Sequence, residues 1–135
     1  MTVACRFRVL SLRAYELVNE RPRDEASVTG CGRWPAWASS VLAPVEVGLA
    51  VRRANAPTDV VARADRVLGS LDLVPLDPDI ADWARREAPT TLRALDAIHL
   101  GSALALAADL GALLTYDRRL ADAARDAGIV TLPRR

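Results

Sequence analysis

Three carboxylates of this sequence, Glu46, Asp96 and Asp117, sit where their surroundings make a charge expensive. Asp96 is the most telling. It lies in Leu92-Arg93-Ala94-Leu95-Asp96-Ala97-Ile98-His99-Leu100-Gly101-Ser102-Ala103-Leu104, a stretch that reads as a helix apolar nearly all round. Such a helix is expected to be buried. Arg93, Asp96 and His99 recur every three residues and so line one edge of it. A carboxylate in that setting needs a neighbouring Arg, a capping role or a divalent cation. Asp117 follows a short apolar run, and Glu46 lies between Val45 and Val47. If the three acids converge, the fitting tenant is Mg2+ or Mn2+, because hard cations take carboxylate oxygens and no His/Cys cluster competes for a softer metal. A cation held so suits phosphodiester hydrolysis, activating water and offsetting charge that grows on phosphate. Each residue also has a plainer reading: Asp96 near a cap or paired with Arg, Glu46 as the solvent side of an amphipathic helix, His99 as a satisfied buried ring, Arg118 as a surface charge.

The elements that must position these residues alternate in type. Residues 1–10 have an alternating centre (Val3, Cys5, Phe7, Val9) that predicts a first strand, and 11–20 a short helix capped by Ser11. Residues 21–36 hold Pro22, Gly30, Gly32 and Pro35 and show little periodicity. A helix is predicted over 41–54, capped by Ser39 or Ser40, with Leu42, Val45 and Leu49 inward and Pro44 near the first turn. Thr58 should cap the next helix, which runs to about Leu68 and ends at Gly69. Residues 71–76 read as an edge strand because of Pro75. Asp77-Pro78 opens a further helix that Pro89 stops. The central helix runs from Leu92 to about Leu110, with Leu92, Leu95 and Ile98 as one apolar stripe and Asp96 in its second turn. A buried strand follows at 111–117, then a helix over 118–127 closed by Gly128, then a last strand at 129–132. Strands alternating with helices predict an α/β fold with a parallel sheet, which puts Asp117 just past a strand's carboxyl end, where such sheets bind ligands.

The totals narrow the function classes. The chain has 135 residues, 51% of them hydrophobic and 26% charged, which fits one globular domain over 1–135. A net charge of +1 advertises no strong basic field for nucleic acid, although a local patch can hide in a neutral total. The two cysteines, Cys5 and Cys31, match neither a zinc spacing nor a disulfide framework. No run of 18 apolar residues predicts a membrane span, and no secretory signal is legible, so a cytoplasmic protein is expected.

Three segments in order, S-S-V-L-A-P-V-E-V, L-R-A-L-D-A-I-H-L-G-S-A and L-L-T-Y-D-R-R-L, resemble PIN-domain ribonucleases, and among them the VapC toxins of type II toxin–antitoxin systems. The resemblance spans roughly residues 37–132. It implies a PIN-like three-layer fold, a mostly parallel sheet with helices on both faces. It also implies a metal-dependent endoribonuclease acting on RNA, with Mg2+ or Mn2+ as cofactor, a cognate VapB-type antitoxin as partner, and a homodimer. Glu46, Asp96 and Asp117 match three of the family's four acidic positions. Thr115 matches the hydroxyl residue two before the last acid, and His99 a frequent histidine of the central helix. Arg93 and Arg118 are candidates for RNA phosphate or an antitoxin carboxylate.

The family's first strand ends in an Asp, and this chain has none before Asp24. Ser11 stands near the expected place, without the charge. Glu20 and Asp24 lie in helix and turn contexts that suit the role poorly. Residues 1–36 are therefore atypical, through a shifted reading frame, a wrong start or true divergence. The alternative to an active nuclease is a degenerate PIN-like protein that binds antitoxin or RNA without cleavage.

Overall fold

The computed structural model describes residues 7–10 and 36–132. The expectations for the helix at 11–20, for Cys5 and Cys31, and for Ser11, Glu20 and Asp24 lie outside the described residues. The described strands are β1 (Phe7–Leu10), β2 (Ala36–Ser40), β3 (Asp72–Val74), β4 (Leu110–Leu114) and β5 (Thr131–Leu132). The helices are α1 (Ala43–Arg53), α2 (Thr58–Gly69), α3 (Pro78–Arg86), α4 (Ala94–Ala105) and α5 (Arg118–Asp126). The strands form one sheet in the order β3-β2-β1-β4-β5, with every pairing parallel.

An all-parallel sheet needs a crossover between successive strands, and from β2 onward helices supply them. Chain order runs outward from β1 in both directions. Right-handed crossovers then place α1 and α2 on one face and α3, α4 and α5 on the other. The packing divides the same way. Val47, Val51 and Ala64 form a core between α1 and α2. Leu100 and Ala103 of α4 pack with Ala38 of β2, Leu113 of β4, and Leu120, Ala123 and Ala124 of α5. The α/β class with a parallel sheet is thus as expected from alternation alone, and β3 is an edge strand as Pro75 implied.

Local chemistry explains most boundaries. The Asp77 carboxylate accepts from the Ile80 N–H at 2.8 Å and caps α3, with Pro78 at the first helical position where its missing N–H costs least. Gly128 follows α5 at φ +83°, a conformation that favours glycine. Gly101 has a different role. A methyl group there would come within 3.0 Å of the Trp83 ring and 3.2 Å of Ile80, so its bare backbone lets α4 nest on α3.

Several local expectations need correction. Ser39 and Ser40 do not cap a helix from its outside; they are fully buried members of β2, and Ser40 Oγ accepts from the Leu42 N–H at 3.2 Å. The inner face of α1 is Ala43, Val47 and Val51, spaced by four, whereas Val45 is 59% exposed. Thr58 is the first residue of α2 rather than its cap; Pro57 holds that position and offers no side-chain hydrogen bond. Gly69 is the last helical residue and not a left-handed cap. The central helix is shorter than predicted, because a single 3-10 turn at Ala107–Asp109 joins α4 to β4. Its buried residues are Ala97 and His99–Ala103, while Leu95 is 45% exposed, so the predicted stripe of Leu92, Leu95 and Ile98 is not the packed one.

Candidate functional site

All strands point the same way, so their carboxyl ends share one edge of the sheet. Each of the three acids lies at the start of a helix. Glu46 is in the first turn of α1, four residues beyond the β2–α1 turn. Asp96 is in the first turn of α4, one turn earlier than expected, because the helix begins at Ala94. Asp117 is the N-cap of α5, three residues beyond β4. Unpaired N–H groups and the macrodipole make a helix start favourable for an anion, which is a local reason for acids at all three places. The switch in chain direction, between β1 and β4, is where ligands bind in open parallel sheets. Asp117 directly follows one of those two strands.

Asp117 is held through both its side chain and its backbone. Its Oδ1 accepts from the Leu120 N–H at 3.1 Å, and its own N–H donates to Thr115 Oγ1 at 3.2 Å. Thr115 is buried, so the hydroxyl two residues before the acid fixes the turn that presents it. Around this turn lies a cleft of about 220 Å³ lined by Thr115, Tyr116, Asp117, Arg118, Ala121, Asp122 and Arg125. Arg125 is steadied by Asp122 on its own helix and by Thr131 Oγ1 at 3.3 Å. Residues 118, 121, 122 and 125 are one face of a helix. Their spacing alone could have pointed to the cleft wall, but only Arg118 was singled out from the sequence.

Glu46 and His99 meet. His99 Nε2 lies 2.6 Å from Glu46 Oε1, across 53 residues of sequence. A carboxylate only accepts, so Nε2 carries the proton of this short, charge-assisted bond. The His99 side chain is 3% exposed and that of Glu46 29%. His99 Nδ1 is also buried and has no hydrogen-bond partner among the described residues. Arg93 holds the N-cap position of α4, exposed and with no side-chain capping bond. A cation there opposes the helix dipole, so helix stability does not account for it. Arg118 is exposed at the start of α5.

The chemistry of the donors suits a hard divalent cation, since all three acids offer oxygen. Their placement is less complete. Among the described residues no three His, Cys, Asp or Glu side chains gather into a group that could hold a metal ion. One oxygen of Glu46 is engaged by His99 and one of Asp117 by the α5 backbone. The structure therefore joins Glu46 to His99 and Thr115 to Asp117, and does not draw Glu46, Asp96 and Asp117 into one closed cluster.

Comparison with known proteins gives this edge of the sheet a context. Residues 14–126 match the family described as PIN domain. The chain belongs to the PIN-domain family. It is 40% identical over 94 residues to Ribonuclease VapC47 of Mycobacterium tuberculosis (strain CDC 1551 / Oshkosh), covering 70% of this chain and 68% of that protein. It is 42% identical over 94 residues to Ribonuclease VapC46 of M. tuberculosis (strain ATCC 25618 / H37Rv), covering 70% and 71%. Over 90 residues it is 41% identical to Ribonuclease VapC35 of the same species, covering 65% of each chain. No solved structure matches. Within the PIN-domain family the chain is thus a VapC-type member, as its three motif segments implied. Among the described residues no helix is long and apolar enough to cross a membrane.

Proposed function

We infer that this PIN domain is the toxin of a type II toxin–antitoxin pair, an endoribonuclease that cuts RNA phosphodiester bonds at the carboxyl edge of its sheet. The observation that carries the reading is Asp117: it is fixed by Thr115 and the α5 backbone beside the β1–β4 switch, in a chain whose relatives are named ribonucleases. Glu46, Asp96 and Asp117 are the acids proposed to hold Mg2+ or Mn2+. A bound cation would supply an activated water and neutralise charge on the phosphate. The chain's own residues orient the substrate. Arg118 and Arg125 on the wall of the cleft suit a phosphate, and Arg93 suits either RNA or a carboxylate of a VapB-type antitoxin. The working unit is proposed to be a homodimer of single-domain chains.

A second reading has its own support. Ser11 stands near the place of the family's first Asp, and the described acids form no closed metal group. On that reading the protein binds its antitoxin, and RNA, without cutting. One experiment separates the two. Purified protein is incubated with structured RNAs and Mg2+ or Mn2+, beside Asp96→Asn and Ser11→Asp. Metal-dependent cleavage that Asp96→Asn abolishes supports the nuclease. Antitoxin binding with no cleavage, even in Ser11→Asp, overturns it in favour of the binding protein.

A further inference from the structure

We propose that His99 is a positioning residue for Glu46, fixing one carboxylate oxygen through its Nε2–H so that the other is the working oxygen at the sheet edge. This rests on the nuclease reading for its functional meaning. The geometry stands by itself. The Nε2–Oε1 distance is 2.6 Å, the ring is buried, and the bond ties the first turn of α1 to the middle of α4. A Glu side chain has three rotatable bonds, and nothing else among the described residues is seen to hold this one. Burial gives His99 its precision. It lies in the buried stretch His99–Ala103 of α4, whereas Glu46 is partly exposed, so the ring is the enclosed partner of the pair.

The other ring nitrogen argues for function over packing. Nδ1 is buried without a partner among the described residues. A buried polar atom left unpaired opposes folding, and an apolar side chain of similar size would remove the penalty. Among the described residues Nδ1 therefore adds nothing to core stability. What histidine provides that leucine lacks is one N–H aimed at Glu46.

The test uses the fact that this is the only histidine in the chain. In tag-free protein, nitrogen NMR of the imidazole should give a single spin system, protonated at Nε2, with a far-downfield, slowly exchanging proton. Glu46→Ala should move that signal and expose the proton to exchange. On RNA, His99→Leu should lower kcat about 10–100-fold with KM nearly unchanged, the usual range for losing the partner of a site ligand. His99→Gln, whose amide nitrogen can reach where Nε2 was, should recover most of the loss. Melting curves of both variants verify folding. A ring protonated at Nδ1, or a signal indifferent to Glu46→Ala, overturns the proposal. So does full activity in His99→Leu, or a Gln variant no better than Leu. If the wild type cuts no RNA, the nuclease reading fails, and the ring spectra still decide whether His99 holds Glu46.

Discussion

Two glycines in helices make opposite predictions for the same substitution. Gly48 lies inside α1, and a methyl group there would meet nothing within 4 Å. Alanine should therefore stabilise the protein by the full helix-propensity difference, about 1 kcal/mol. Gly101 lies inside α4, where the same methyl would stand 3.0 Å from Trp83 Cε3, 3.2 Å from Ile80 Cγ2 and 3.4 Å from Trp83 Cζ3. The same gain of about 1 kcal/mol is available, but the Trp83 ring and Ile80 must give way. Overpacking of this kind costs about 1–3 kcal/mol. Neither neighbour is the loose end of a flexible chain: Ile80 is 4% exposed and Trp83 packs on the main core. The net expectation for Gly101→Ala is a loss of about 1 kcal/mol. In a chain of this length a change of that size moves the melting midpoint by about 2–5 °C. Urea unfolding followed by tryptophan fluorescence is the assay, since Trp83 itself reports the contact. Gly48→Ala should shift the midpoint up and Gly101→Ala down. If Gly101→Ala stabilises as much as Gly48→Ala, the close packing of α3 on α4 is refuted.

Other substitutions test other statements. Val47→Ala should cost about 1–3 kcal/mol in urea unfolding because the side chain is fully buried, while Val45→Ala, on the exposed side of α1, should change stability by less than about 0.5 kcal/mol. Asp117→Ala should lose the cap of α5 and about 1 kcal/mol of stability; Asp117→Asn keeps an accepting oxygen, so it should melt near the wild type while removing the charge that the proposed metal site would use. Arg85, and then Arg86, hold the Asp82 carboxyl below its ordinary range. Any stability from that cluster is present at neutral pH and is lost as pH falls through the lowered value. All three side chains are exposed, so Asp82→Asn should leave the pH 7 midpoint unchanged within error.

The alternation of short, mostly apolar runs at 71–76, 111–117 and 129–132 with helical periods is enough to read the α/β class. Asp117 past β4 and Asp77 as a cap were legible for the same reason: a capping acid and its helix are local. The face of α1 was misread because Leu42, Val45 and Leu49 are larger than Ala43, while burial follows the packed neighbour and not side-chain size. Ser39 and Ser40 were misread because small polar residues suit both caps and a crowded central strand. Glu46 and His99 were each picked out alone, and their bond was invisible, since nothing in spacing reports a contact between residues 53 apart. The Asp122 and Arg125 side of the cleft was legible in principle from helical spacing, but only beside a strand order that the sequence does not print.

The pairing of β1 with β4 sets Phe7 beside Leu110 and Leu10 beside Leu114. Among the described residues no hairpin joins strands of this sheet, and β1 gains β4 as a neighbour only once residues 110–114 have been made. Parallel, long-range pairing of this kind is slow to form. On the ribosome, where synthesis proceeds from the amino end, the edge that carries Asp117 cannot assemble until residues 110–117 have emerged. Any site on that edge therefore exists only after β4 has docked beside β1.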